Sequence, residues 1–290
     1  MIFSETVRRY ERLCEENDVP AETVMAYLVE LSQRERYDLY VHFEEDMPAE
    51  LADEFEKGMK RILNQEPMSH VLGYSWFYGY KMEVNPDVLI PRVETEELCA
   101  QILARMDEIF PDRDEIVTAD VGTGSGAIAI TVKLEEPKVT MTATDISEEA
   151  LAVAKRNAAV NGADVEFLCG DMVKPLIEAG KKLDVLISNP PYIPREEQME
   201  RSVVDFEPHV ALFGGEDGLK FYRQIFRDCR QVLKEKAFMA FEMGWDQREA
   251  MSALVESSLP EANYEILKDM NGKDRMLFVY FGCGNEEVCG

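Results

Sequence analysis

Positive charge is scarce in this sequence. Lys and Arg total 31 against 57 Asp and Glu, a formal net charge of −26 over 290 residues. That deficit argues against duplex DNA or bulk RNA as the main partner, because neutralising phosphates supplies most of such affinity. It favours a small-molecule ligand or a basic protein partner. Metal-binding spacing is missing as well. The cysteines Cys14, Cys99, Cys169, Cys229, Cys283 and Cys289 form no C-x-x-C pair, and no histidine lies nearby at ligand spacing. No metal site is expected, and scattered thiols suit a reducing cytosol. No apolar run approaches membrane-spanning length. The opening "MIFSETVRRYERL" is charged from residue 5 and lacks the apolar stretch of a signal peptide. A cytoplasmic protein with no membrane partner is expected. Internal repeats and low-complexity segments are absent too.

What is present is a change of pattern along the chain. Up to about residue 66 the text is helical. "ETVRRYERLCEEN" sets Val7, Tyr10 and Leu13 at three-residue steps, "PAETVMAYLVELSQ" opens on Pro20, and "PAELADEFEKGMKRILN" opens on Pro48. These helices predict a small bundle. Residues 71–91 alternate aromatic and β-branched residues around Gly73, Gly79 and Asn85-Pro86, which reads as a hairpin. A helix over "ETEELCAQILARMDEIF" follows. From residue 116 strands alternate with helices: "IVTADV", "GAIAITVKLEE", "VTMTAT", "SEEALAVAKRNAAVNG", "VEFLC", "LDVLIS", "GLKFYRQIFRDCRQVLK", "AFMAFEM", "DQREAMSALVESS", "YEILKD" and "RMLFVYF". Ser147 is placed as a helix N-cap and Gly162 as a C-terminal stop. Such alternation predicts an α/β fold with a mostly parallel sheet and helices on both faces. Ligands of such sheets bind beyond the C-terminal strand ends, at the switch point.

"ADVGTGSGAIAI" puts Gly122, Thr123, Gly124, Ser125 and Gly126 between a strand and a helix, where glycine permits close backbone approach to a ligand. The spelling also fits G-x-G-x-x-A, so a dinucleotide loop stays open. Asp145 ends the next strand. A carboxylate there accepts hydrogen bonds from two ribose hydroxyls, of NAD or of S-adenosylmethionine alike. In "LCGDM", Asp171 is placed to bind an adenine amine and Met172 to pack on the ring.

"DVLISNPPYIP" is more specific. Asn189 ends a buried strand that should neighbour the first one, near the glycine loop. Its side-chain oxygen can accept from an NH2 group. Pro190 and Pro191 lack N–H donors and have fixed φ, and the Pro190 carbonyl can accept from the same NH2 group. Tyr192 offers an apolar face to a planar group. The set suits a planar amine or amide facing a methyl sulfonium. Hydride transfer would want a His, Tyr or Lys acid/base here, which argues against NAD.

With these motifs the text resembles the PrmC/HemK family of release factor glutamine methyltransferases. The resemblance runs nearly the full chain, through "QEPMSHVLGYSWFYG", "VNPDVLIPRVETEEL", "ISNPPYIP", "FEPHVALFGGEDGLKFYRQI", "FEMGWDQ" and "DMNGKDRMLF". It implies a small all-α N-terminal domain that grips the release factor (residues 1–70), a β-hairpin linker (71–91) and a Rossmann-like, seven-stranded class I S-adenosylmethionine-dependent methyltransferase domain (92–290) whose last strand is antiparallel. It implies methylation of the side-chain amide of the glutamine in the Gly-Gly-Gln motif of class 1 peptide chain release factors, with S-adenosylhomocysteine as product. A monomer is expected, though the sequence itself is silent on oligomeric state. By position, Gly122 to Gly126, Asp145, Asp171, Met172 and Asn189 would bind the cofactor. Asn189, Pro190, Pro191 and Tyr192 would hold the glutamine, with Asn189, Pro190 and Tyr192 catalytic. Arg92, Glu94 and Glu96 would order the site, and Glu207 and Pro208 would shape its entrance. Met172 departs from the family, which often has an aromatic residue there. The alternatives are a glutamine methyltransferase of a ribosomal protein, an adenine-amine methyltransferase of nucleic acid, and a silent S-adenosylmethionine-binding module.

Overall fold

The computed structural model describes residues 2–197 and 201–283, omitting the side chain of Arg201. Cys289 lies outside the described residues. The chain divides into two compact units: residues 1–75 with 199–206, and residues 76–198 with 207–290.

In the first unit the helices are α1 (Phe3–Glu16), α2 (Glu22–Ser32), α3 (Arg36–Val41), α4 (Ala49–Ile62) and α5 (Met68–Leu72). α1 buries Phe3, Val7, Tyr10 and Cys14, spaced by three and four residues along one face. α4 buries Phe55, Gly58, Met59 and Ile62. The Phe55 ring meets the edge of Tyr10 at 5.3 Å between centroids and tilts onto Tyr27 at 5.7 Å. Gly58 is required for this packing: a Cβ there would overlap the Tyr27 phenol ring.

Next come β1 (Tyr74–Phe77) and β2 (Tyr80–Glu83), a two-stranded sheet. The turn between them is Tyr78-Gly79, both at positive φ (52° and 82°), as a tight two-residue hairpin demands.

The second unit continues with α6 (Val93–Ile109), β3 (Ile116–Val121), α7 (Ala127–Glu135), β4 (Val139–Asp145), α8 (Glu148–Asn161), β5 (Val165–Cys169), α9 (Lys174–Glu178) and β6 (Leu183–Ser188). Between it and the remainder, α10 (Arg201–Val204) belongs to the first unit. Then follow α11 (Lys220–Asp228), β7 (Leu233–Glu242), α12 (Arg248–Ser258), β8 (Asn263–Lys268) and β9 (Asp274–Phe281). The sheet order is β5-β4-β3-β6-β7-β9-β8. β9 runs antiparallel to both its neighbours; the other pairings are parallel. The fold is therefore the class I methyltransferase architecture that the resemblance implied.

Both faces of the sheet are covered. On β7, Phe238 and Ala240 pack into one apolar cluster, while Ala237, Met239 and Phe241 pack into the other. This two-residue alternation between two dry faces explains why the central strands read as unbroken apolar runs. Ser147 caps α8, its hydroxyl accepting from Ala150 N–H, and Gly162 stops the helix in the left-handed conformation. One expected element ends early. The helix over "GLKFYRQIFRDCRQVLK" stops at Asp228, because Val232 and Leu233 are drawn into the sheet. Leu183 N–H donates to Val232 O at 2.7 Å, and Leu233 pairs with Leu183.

β3 lies between β4 and β6, so the chain turns one way from β3 and the other way from β6. This is the switch point, and its floor is Asp120, fully buried one residue before the end of β3. Thr123 Oγ1 donates to Asp120 Oδ2 at 2.6 Å, tying the glycine loop to the strand. Burial pushes the Asp120 carboxyl up from its ordinary 3.8 to about 7, outweighing the Thr123 and Ala129 hydrogen bonds that favour the anion.

Two outcomes are expected. Gly58→Ala gains helix propensity of about 1 kcal/mol but must displace the Tyr27 ring at an overpacking cost of about 1–3 kcal/mol. The variant should unfold at lower temperature, and an unchanged or higher midpoint would contradict the packing. For Asp120, native protein holds a proton that the unfolded chain has released between the two pKa values. This contribution to stability is full below the unfolded carboxylate pKa and is lost as pH rises through about 7. Relative to Asp120→Asn, wild type should lose thermal stability from about pH 5 to about pH 8. Parallel profiles for the two proteins would show that Asp120 is not the titrating group.

Candidate active site

The C-terminal ends of β3, β4 and β6 open onto a cavity of about 390 Å³. Its lining brings together Gly122, Thr123, Gly124, Ser125, Asp145, Asp171, Met172, Asn189 and Pro191. The wall is completed by Arg92 and Thr95 from the start of α6, by Ile146 and Ala150, by Pro208, Val210 and Ala211, and by Lys220, Phe221 and Gln224 from α11. Gly126, Pro190 and Tyr192 are not part of the lining. Gly126 instead sits where α7 passes α8, and a Cβ on it would come within 3.1 Å of Ala154 Cβ.

Asp145 is held by backbone. Gly124 N–H donates to its Oδ2 at 2.9 Å and Ser147 N–H to its Oδ1 at 3.0 Å. Burial raises its carboxyl, against those donors and Ile146 N–H. Each oxygen retains further accepting capacity toward the cavity. Asp171 differs. Burial alone would raise its carboxyl, but Lys174 at 2.6 Å and Gln224 at 2.8 Å hold it below the usual range. Met172 adopts a left-handed φ of 52°, an uncommon conformation for a side chain of this size, and Thr144 Oγ1 donates to its carbonyl at 3.1 Å.

Asn189 follows the last residue of β6. Its Nδ2 donates to Thr95 Oγ1 at 3.3 Å. Thr95 Oγ1 donates in turn to Glu242 Oε2 at 2.5 Å. The Tyr192 hydroxyl donates to the other oxygen, Glu242 Oε1, at 3.2 Å. Glu242 ends β7 and is 2% exposed. Burial raises its carboxyl, while Thr95, the Arg275 charge and Tyr192 pull it back. Tyr192 thus spends its polar end inside the protein, and its hydroxyl pKa is raised, first by burial and then by Glu242. The Tyr192 carbonyl accepts from Gln247 Nε2 at 3.0 Å. A Cβ at Gly214 would come within 2.5 Å of Pro191 O, and one at Gly218 would collide with Tyr192 O. The glycines of "FGGEDG" therefore let one loop lie flat against the Asn-Pro-Pro-Tyr backbone.

The "PRVETE" residues act around this centre. Arg92 Nη2 donates to Glu207 Oε1 at 2.5 Å, and Ile90 N–H donates to Glu207 Oε2 at 3.0 Å, so a buried carboxylate clasps the entry to α6. Glu96 accepts from Tyr78 N–H at 2.9 Å. Glu94 enters through its charge, which opposes ionisation of Glu242. The sequence reading did not single out Thr95, Glu242, Gln247 or Arg275. Glu242 had a signal: an acid closing the apolar run "AFMAFEM" must find partners when buried. Among the described residues, no helix is long and apolar enough to cross a membrane, and no cluster of three or more His, Cys, Asp or Glu is placed to hold a metal ion.

The Methyltransferase small domain model matches residues 100–206, and the PrmC N-terminal domain model matches residues 5–73. A release factor glutamine methyltransferase of Bacillus anthracis is 43% identical over 84% of this chain and 86% of its own length. One of Staphylococcus aureus is 39% identical over 86% and 88%. Among solved structures, a methyltransferase from Pyrococcus furiosus aligns with a TM-score of 0.51 at 19% identity over 78% of this chain and 98% of that one, a likeness of fold. On this identity and coverage the chain is a methyltransferase enzyme, and it belongs to the release factor glutamine methyltransferase family.

Proposed function

We propose that this protein uses S-adenosylmethionine to methylate the side-chain amide nitrogen of the glutamine in the Gly-Gly-Gln motif of class 1 peptide chain release factors. The observation that carries the reading is Asn189: a neutral amide on the cavity wall, its nitrogen engaged by Thr95, beside the glycine loop and Asp145. Family membership supports the substrate.

The residues fit the cofactor. A Cβ at Gly122 or Gly124 would meet nothing within 4 Å, so the loop backbone borders open space. Asp145 retains accepting capacity for ribose hydroxyls, Ile146 and Met172 are apolar neighbours for a base, and Asp171 can accept from its amine. The volume is in the range of small-molecule sites, about 300–1,000 Å³.

When bound, the cofactor supplies an activated methyl group on a positively charged sulfur. The chain's own residues make a poor nucleophile competent. The lone pair of an amide nitrogen is delocalised into its carbonyl. Asn189 Oδ1, on the cavity wall, accepts one N–H of the substrate amide, which raises electron density on nitrogen and orients it for in-line attack. With the cofactor bound, the nitrogen would gain the methyl carbon as the methyl C–S bond breaks to leave a neutral thioether, and it would release one proton to water, late in the transfer or after it. Pro190 and Pro191 stiffen the loop that presents this acceptor.

Incubation of the purified protein with S-adenosylmethionine and a release factor should add one methyl group to the Gly-Gly-Gln glutamine, read by peptide mass spectrometry. Methyl found on a ribosomal protein or nucleic acid, with none on the release factor, would falsify the assignment. Asn189→Ala should keep cofactor affinity near wild type and lose transfer by about 100-fold or more, the scale of a lost transition-state hydrogen-bonding group. Undiminished turnover in that variant would rule out the acceptor mechanism.

A further inference from the structure

We propose that Thr95 and Glu242 are positioning residues that fix which end of the Asn189 amide faces the cavity. This rests on the reading of Asn189 as a hydrogen-bond acceptor. The two ends of an asparagine amide have nearly the same shape and opposite chemistry. A half-turn of the amide exchanges an oxygen that accepts for an NH2 group that donates. Only the first can hold a substrate NH2 group.

The direction follows from a chain of committed protons. Burial raises the Glu242 carboxyl, and the Thr95 hydroxyl on Oε2, the Arg275 charge and the Tyr192 hydroxyl on Oε1 oppose that shift by favouring the anion. The Thr95 hydroxyl donates to Glu242 Oε2 at 2.5 Å, the direction that a carboxylate, which only accepts, requires. A threonine hydroxyl has one proton. Thr95 Oγ1 therefore offers only lone pairs to Asn189, and the end of the amide that meets it must be the nitrogen. The reversed amide would set Oδ1 against the lone pairs of Oγ1. Asn189 Oδ1 is left on the opposite side, available to the cavity that both residues line.

Glu242→Gln is the sharpest test because it keeps the shape. Its NH2 group can donate to Thr95 Oγ1, which frees the Thr95 proton for Asn189 Oδ1 and favours the wrong end. Thr95→Val removes the hydroxyl, and Thr95→Ser restores it. Steady-state kcat and KM with the release factor are measured beside S-adenosylhomocysteine binding by calorimetry. Thr95→Val and Glu242→Gln should lower kcat by about 10- to 100-fold, below or at the scale of losing the acceptor itself. Cofactor affinity should hold, and Thr95→Ser should recover most of kcat relative to Thr95→Val. A kcat near wild type in both variants overturns the proposal. So does Thr95→Ser as impaired as Thr95→Val, or a parallel loss of cofactor affinity, either of which marks a merely structural role. Should Thr95→Val fail to fold, Glu242→Gln decides by its kcat and cofactor affinity.

A second readout needs no substrate. The Asn189 side-chain NH2 protons, assigned by their loss in Asn189→Ala, should exchange slowly in wild type and faster in Thr95→Val. Equal exchange would overturn the Thr95 bond even if release factor proves to be the wrong substrate. Absence of methyl transfer by wild type, with exchange still slowed, would count against the proposed function alone.

Discussion

A carboxylate without water must be given donors by the protein, and Glu242 imposes that demand at the centre of the catalytic unit. Leaving a buried charge unpaired costs several kcal/mol, so the fold has to bring partners from wherever the chain can supply them. Thr95 comes from the first turn of α6, 147 residues away in sequence. Tyr192 comes from the Asn-Pro-Pro-Tyr loop. Arg275, itself paired with Asp269 at 3.2 Å, comes from β9. Glu242 also anchors through its backbone, because the buried Tyr222 hydroxyl donates to its carbonyl at 2.6 Å. One residue thus fastens α6, α11, β9 and the loop after β6 to the end of β7. The loop that carries Asn189 owes its placement as much to this carboxylate as to its prolines.

The second constraint is close backbone packing. The Asn-Pro-Pro-Tyr loop runs beside residues 212–215 with strand-like hydrogen bonds: Ile193 N–H to Leu212 O at 3.1 Å, and Gly214 N–H to Ile193 O at 2.9 Å. Gly218, at φ 75°, presses on the Tyr192 carbonyl that Gln247 also holds. The loop is therefore clamped on its outer side by backbone and on its inner side by the Tyr192 hydroxyl. On the proposed reaction, an acceptor aimed at a substrate NH2 group needs such rigidity, since hydrogen bonds weaken as their geometry departs from the ideal.

The sheet was legible in the sequence because its signals are local. "IVTADV" and "LDVLIS" coincide with β3 and β6, and Ser147 and Gly162 bound α8 as capping chemistry requires. The short helices α3, α5 and α9 were not legible, since five or six residues give too little periodicity to read. The glycine loop, Asp145 and Asn189 could be placed together because topology alone puts the ends of β3, β4 and β6 side by side. Thr95 could not be found that way. Its role depends on a partner far along the chain, and a buried polar pair leaves no mark at either position beyond a threonine among glutamates. Tyr192 shows the same limit from the other side. Its ring was expected to wall the pocket, yet the demand of Glu242 draws its hydroxyl inward, and the ring packs with the apolar cluster on that face of the sheet.

On the proposed function, the network also accounts for an amide at position 189. An aspartate there would be nearly isosteric and would offer acceptors to a substrate NH2 group. It would also turn a second carboxylate toward Thr95, whose single proton is already committed to Glu242. Lone pair would face lone pair, with the Glu242 carboxyl just beyond Thr95, in a site where burial already raises the Asp145 and Glu242 carboxyls. That aspartate would have to bind a proton to meet Thr95, whereas asparagine carries its donor at every pH. Asparagine satisfies both sides at once: a donor inward, where only lone pairs remain, and an acceptor outward without charge. The choice of residue at the strand end is thus set by a hydrogen-bond direction that begins at a glutamate on another strand.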